Sequence, residues 1–296
     1  MATLLSSPKR LDVHKTYKLF IGGKYVRSES GHSIPALSEK GKVLDNVCRA
    51  TRKDFRDAVV AARSAFGGWA KNSAYLRSQI LYRTAEMLQN RREELIQELI
   101  RSTGVTRSHA EKEVTLSIDR LVYFAGWADK YTQIFGSVNP VASSHFNFST
   151  LEPTGIVATF LPDLPALLPA ITLMATAILS GNTIILIGSE RYPLPIVTFA
   201  EIISTSDIPG GVVNILTGKR SELVSHAASH MDVNAIVNVS GVSELHKTLH
   251  EGSVFNLKRY AHHDLTTEKW YSEKGENPYW ILDTIEVKTA WHPIGV

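Results

Sequence analysis

Between residues 155 and 261 the chain alternates short, largely apolar runs with longer segments of helical spacing. The runs 155–161 (GIVATFL), 183–188 (TIILIG), 211–216 (GVVNIL) and 233–239, and a fifth, less apolar one at 257–261, read as strands. Helices are predicted between them at 165–180, 195–203, 220–229 and 242–251. Strands that are apolar on both faces and alternate with helices predict a doubly wound parallel sheet, an α/β fold. Ahead of this region the apolar positions recur at helical spacing over 54–69 (Phe55, Val59, Ala62, Phe66), 75–102 (Ile80, Leu81, Leu88, Leu95, Leu99) and 109–134 (Val114, Ile118, Leu121, Val122, Phe124). Gly104 supplies a C-cap after the second helix. Residues 17–27 read as a small hairpin about Gly22-Gly23. The polar stretch 136–152 lacks helical periodicity and reads as an extended hairpin. At the chain end, over 279–296, Ile285, Val287, Thr289 and Trp291 alternate with Glu286, Lys288 and Ala290, a strand with one apolar face.

Composition narrows the class. The 296 residues are 44% hydrophobic, enough to bury a large core, and 21% charged with a net charge of +3. No basic block is long enough for a nucleic-acid arm, because in Arg91-Arg92-Glu93-Glu94 acids cancel the bases. Residues 164–180 carry no charge, but they fall short of the roughly 20 residues of a spanning helix and contain two prolines, so a buried helix is expected. The N-terminal MATLLSSPKR lacks the pattern of a secretory signal. The single cysteine, Cys48, excludes an internal disulfide and a cysteine zinc cluster. A reducing, cytoplasmic location is the expectation.

Candidate chemistry is defined largely by what is missing. Neither G-x-G-x-x-G nor a Walker-type phosphate loop occurs, and there is no G-x-S-x-G elbow and no H-E-x-x-H. The histidines do not fall beside acids at ligand spacing, so no metal site is expected; His226, His230, His246 and His250 fit solvated helix faces. Cys48, in the strand-like VLDNVCRA, is expected to be a buried structural residue rather than a nucleophile. The triplets beginning at Asn147 and Asn238 match glycosylation acceptors by chance.

An ordered series of segments carries a resemblance. Pro153-Thr154-Gly155-Ile156-Val157, Leu161-Pro162-Asp163-Leu164-Pro165, Gly181-Asn182 through Ser189-Glu190 to Pro193, and Ile208-Pro209-Gly210-Gly211-Val212 through Asn214 to Gly218 follow the order and spacing of the cofactor domain of aldehyde dehydrogenases. Pro162-Asp163, the run 205–211, Asn256-Leu257-Lys258-Arg259 and the ending 287–295 are most similar to the second, non-catalytic domain of the two-domain aldehyde dehydrogenases of family sixteen. The resemblance implies a Rossmann-like cofactor-fold domain over residues 1–135 and 154–261, and an oligomerisation flap from 136–153 and 279–296. It also implies a linker, 262–278, where the family has its catalytic domain.

The departures from that pattern set the functional expectation. The family's oxyanion-holding Asn is matched by Asp163, whose charge would repel a developing oxyanion. Its ribose-binding Lys is matched by Ile187, while the second ribose contact survives as Glu190. The phosphate-approaching turn is matched by Asn238-Val239-Ser240-Gly241 with its small residues reordered. The resemblance therefore implies vestigial cofactor contacts at Ser189, Glu190, Ser240 and Gly241, no catalytic residue, and no cofactor, or NAD held weakly at best. It implies a non-catalytic structural, assembly or regulatory subunit, forming a homo-oligomer or a hetero-oligomer with a catalytic aldehyde dehydrogenase. Ile285, Val287, Thr289, Trp291 and Trp280 are the expected interface residues, because the family's terminal strand extends a neighbouring subunit's sheet. The alternative is an NAD(P)-binding oxidoreductase or dinucleotide sensor. No nucleic-acid or membrane partner is expected.

Overall fold

A computed structural model describes residues 13–295; the N-terminal residues read for a signal lie outside this range. An N-terminal sheet pairs β1 (Thr16–Tyr17) parallel to β5 (Val43–Cys48), which pairs antiparallel with β4 (Ser33–Leu37). The hairpin β2 (Leu19–Ile21) and β3 (Lys24–Val26) belongs instead to the main sheet. That sheet has the order β12-β11-β8-β9-β10-β2-β3, with β8 (Ile156–Phe160), β9 (Thr183–Ile187), β10 (Val213–Leu216), β11 (Ala235–Asn238) and β12 (Arg259–His262) parallel. Phe20 pairs with Ile215 across the antiparallel junction between β2 and β10. The hairpin turn packs tightly there: a Cβ on Gly23 would lie 2.8 Å from the Cα of Gly210.

Successive residues of the parallel strands enter two different cores. Val157, Ile184, Leu186, Ile215 and Val237 face one side, with α2 (Ala74–Asn90), α3 (Arg92–Thr103), α4 (Arg107–Ala125), α6 (Leu168–Leu179) and α7 (Leu194–Ile203). Ile156, Ala158, Ile185, Ile187 and Ile236 face the other, with α1 (Arg52–Lys71), α8 (Arg220–Ser229) and α9 (Ser243–Val254). Apolar residues on both faces of every strand thus produce the doubly wound sheet that the pattern predicts. Every residue of α6 is buried. No described helix is long and apolar enough to cross a membrane.

Several expectations change. The predicted helix 75–102 is two helices, broken at Arg91 (φ −105°, ψ 21°). The break carries no Gly or Pro, and it lets Arg91 bind Glu94 at 2.7 Å and Glu201 at 2.8 Å. The helix 109–134 stops at Ala125; turns follow, then the short α5 (Tyr131–Phe135). The fifth strand starts at Arg259, because Leu257 adopts φ +53°.

The C-terminal segments differ most. The presumed polar linker is a folded strap with α10 (Thr267–Trp270) and two 3-10 turns, Glu273–Glu276 and Pro278–Thr284. Trp270 is 0% exposed and stacks on Trp280 at 5.4 Å. Arg120 of α4 donates to the Trp270 carbonyl at 2.5 Å and to Thr172 at 2.8 Å, and burial pulls its guanidinium down to about 10. The terminal strand is therefore shorter than 279–296. It is β13 (Ile285–Pro293), and it pairs antiparallel with β7 (His145–Pro153) of its own chain, which pairs with β6 (Ser137–Asn139). The docked strap delivers Ile285 opposite Pro153, so the strand finds its partner in cis.

Candidate functional site

In open α/β sheets ligands bind beyond the carboxyl ends of the strands, where the winding reverses. Here the parallel strands run β10-β9-β8-β11-β12, so the reversal lies between β8 and β11. Four loops meet at this edge: 161–167 after β8, 188–193 after β9, 217–219 after β10 and 239–242 after β11.

Arg220, the first residue of α8, dominates the edge. It begins at the end of β10, and its guanidinium reaches past β9 to the end of β8. There Nη1 donates to the Leu161 carbonyl at 2.6 Å, and Nη2 donates to the two Asp163 oxygens at 3.0 and 3.1 Å. Nε lies 3.5 Å from Glu190, whose carboxylate also accepts the Arg220 backbone N–H. The Arg220 side chain is 5% exposed and those of both carboxylates 37%. Ser189 donates to Asp163 at 2.6 Å and accepts from the Tyr192 N–H at 2.9 Å. Asp163, Ser189, Glu190 and Arg220 thus form one closed network in which the acidic residues face a cation.

The N-terminus of α6, a natural anion seat, is filled from within. Glu113 of α4 accepts from Leu167 N–H at 2.7 Å, Leu168 N–H at 3.1 Å and the Tyr271 hydroxyl at 2.9 Å. Burial raises the Glu113 carboxyl above the usual range against the pull of those backbone donors. Burial, then the Glu113 carboxyl, pushes the Tyr271 phenol up.

The expected cofactor contacts divide. Ser189 and Glu190 belong to the Arg220 network. Ser240 and Gly241 stand apart at the end of β11, where the Ser240 N–H and hydroxyl bond Asn238 at 3.1 and 2.8 Å. Gly241 has φ +68° and open space where a Cβ would be. Ile187 is 0% exposed inside β9. Ile187 offers no donor, Glu190 is engaged by Arg220, and the Arg220 side chain runs from the end of β10 past β9 to the end of β8. Arg220 and Glu113 were not singled out in the sequence. Arg220 lies just beyond the Gly218 motif; Glu113 shares the buried face of α4 with Ala110, Val114 and Ser117, the one visible signal of a buried acid.

Cys48 is 3% exposed in β5, packed among residues including Phe55 and Ala58. Among the described residues no group of three or more His, Cys, Asp or Glu side chains is placed to hold a metal. The expected solvated helix faces do not describe His246: its ring lies 4.1 Å from that of His262 and bonds Tyr260 at 2.7 Å. Of the expected interface residues, Val287 (60% exposed), Thr289 and Trp291 (59%) face outward from β13. Ile285 and Trp280 do not; they are 1% and 6% exposed in the chain's own core, because the strap turns them inward.

Known proteins resemble the chain over most of its length. Residues 25–262 match the model of the aldehyde dehydrogenase family. The aldehyde dehydrogenase DhaS of Bacillus subtilis is 32% identical over 257 residues, covering 85% of this chain and 51% of its own length. Cytosolic 10-formyltetrahydrofolate dehydrogenase of Mus musculus is 32% identical over 262 residues, covering 86% and 29%. An aldehyde dehydrogenase of Bacillus cereus, solved as an NAD+ complex, superposes with a TM-score of 0.79 at 27% identity, over 83% of this chain and 50% of that one. The chain thus spans about half, or less, of these relatives. With a family model over most of its length and a matching fold, the chain belongs to the aldehyde dehydrogenase family.

Proposed function

We propose that this chain is a non-catalytic member of the family, acting as a structural, assembly or regulatory subunit. The observation that carries the reading is the strap. Between β12 and β13 the chain has residues 263–284, which fold back onto α4 and α6 and bury Trp270 and Trp280. Among the described residues, no lobe intervenes between these two strands to bring a nucleophile to the carboxyl edge, and Cys48 is enclosed in β5. The flap β6-β7-β13 keeps an outward face with Val287 and Trp291, which supports association with a second copy or with a catalytic aldehyde dehydrogenase. The test is NADH formation by the full chain with several aldehydes, beside Cys48→Ala, and light scattering with and without an active aldehyde dehydrogenase. No turnover and a mass above the monomer are expected. Turnover lost in Cys48→Ala overturns the non-catalytic reading; a monomer that binds no active relative overturns the subunit role.

A second reading, a dinucleotide-binding oxidoreductase or sensor, is favoured by the relatives solved with NAD, in the Bacillus cereus enzyme and in PnpE (30% identical, TM-score 0.79). Calorimetry with NAD separates the two.

A further inference from the structure

We propose that Arg220 is an internal occupant of the dinucleotide crevice, and that it closes the crevice as one ion pair with Asp163. This deepens the non-catalytic reading and rests on the family assignment.

The geometry is that of a bar laid across the edge. The side chain leaves the end of β10, passes the end of β9 and terminates on Leu161 and Asp163 beyond β8. Its far end reaches the β8 side of the reversal between β8 and β11, the place where a ligand of a doubly wound sheet binds. The two residues that the resemblance assigns to opposite parts of the cofactor reaction, Glu190 at the ribose and Asp163 at the oxyanion position, are joined by the same guanidinium. An arginine stays protonated in proteins, so it cannot escape burial by losing its charge. It must keep its counter-ions or leave for solvent.

Asp163 acquires a reason. Taken alone it only repels an oxyanion. Beside Arg220 it is the counter-ion of a cation that is 5% exposed. A neutral Asn at that position would leave the guanidinium without its bidentate partner, and removal of the arginine would leave two carboxylates facing a dinucleotide's phosphates. The charges are therefore best removed together.

The experiment is calorimetry of the full chain with NAD, comparing wild type, Arg220→Ala/Asp163→Asn, Arg220→Lys and Asp163→Asn, each checked for a cooperative melt. The double variant is expected to bind NAD at least roughly tenfold more tightly than wild type. Arg220→Lys, which keeps a cation against Asp163, is expected to stay near wild type. A folded double variant with unchanged affinity overturns the proposal, as does a wild type that binds as tightly as the variant. If the double variant does not melt cooperatively, Asp163→Asn decides: a smaller gain in the same direction supports the closure, and no gain overturns it. Aldehyde-dependent NADH formation by the wild type sinks the non-catalytic reading whatever the affinities, so the two failures are distinguishable.

Discussion

The carboxyl edge of the main sheet and the flap face opposite ways chemically. At the edge the charged groups are consumed by one another: Arg220 by Asp163 and Glu190, the α6 N-terminus by Glu113. On the flap the apolar side chains stand in solvent: Val138 is 68% exposed, Phe146 45% and Trp291 59%. A Rossmann-like edge recognises small ligands through unspent donors and carboxylates, whereas a sheet face recognises macromolecules through unspent apolar area. Under the proposed function, recognition falls to the second region rather than the first.

The sharpest way to break the comparison uses two tryptophans from the same end of the chain. Trp280→Ala removes a ring buried against Trp270 and is expected to destabilise by about 3–5 kcal/mol in chemical denaturation. Equal and small losses for Trp280→Ala and Trp291→Ala would erase the contrast between strap and flap.

Next in size is Glu113. Glu113→Ala leaves the Leu167 and Leu168 N–H groups without their acceptor, at a cost of roughly 2 kcal/mol, while Glu113→Gln keeps an acceptor and is nearly neutral at pH 7. The pH dependence follows from the raised pKa. A carboxyl whose folded pKa exceeds its unfolded one contributes stability that is full below the unfolded pKa and fades as pH rises through the folded value. Urea titrations at acidic and neutral pH should show this fading in wild type and a flatter profile in Glu113→Gln. A steeper profile in the variant would mean that Glu113 is held as a stabilised carboxylate.

The smallest stability effects belong to the flap. Trp291→Ala and Val287→Ser are expected to change stability by about 0.5 kcal/mol or less, yet to lower the mass seen by light scattering. An unchanged mass in both would place self-association elsewhere on the molecule.

What was legible in the sequence follows from range. The alternation of Ile156 and Ala158 with Val157, and of Ile185 with Ile184 and Leu186, between two cores is a local pattern, and it predicted the sheet, its strands and its helices on both faces. The helix break at Arg91 carries no Gly or Pro to announce it, and one of the two acids that Arg91 binds there, Glu201, is 110 positions away. Asp163 was legible as a departure from a motif, but its meaning depends on Arg220, 57 positions on. Trp280 and Trp291 lie in the same terminal segment, and the path of the strap, tied down by Arg120 and Trp270, buries one and leaves the other exposed.

The antiparallel junction between β2 and β10 has a consequence for the timing of synthesis. The Gly22 N–H donates at 2.9 Å to the side chain of Asn214, 192 positions later. A two-stranded hairpin is marginal alone, and a ribosome adds roughly 5–20 residues per second, so β2 and β3 wait roughly 10 to 40 seconds for the strand that completes their pairing. Through that interval Leu19, Phe20 and Ile21, all buried in the finished protein, emerge with no sheet to enter. The nascent chain therefore carries through that interval an apolar strand whose protection depends on whatever meets it at the ribosome exit.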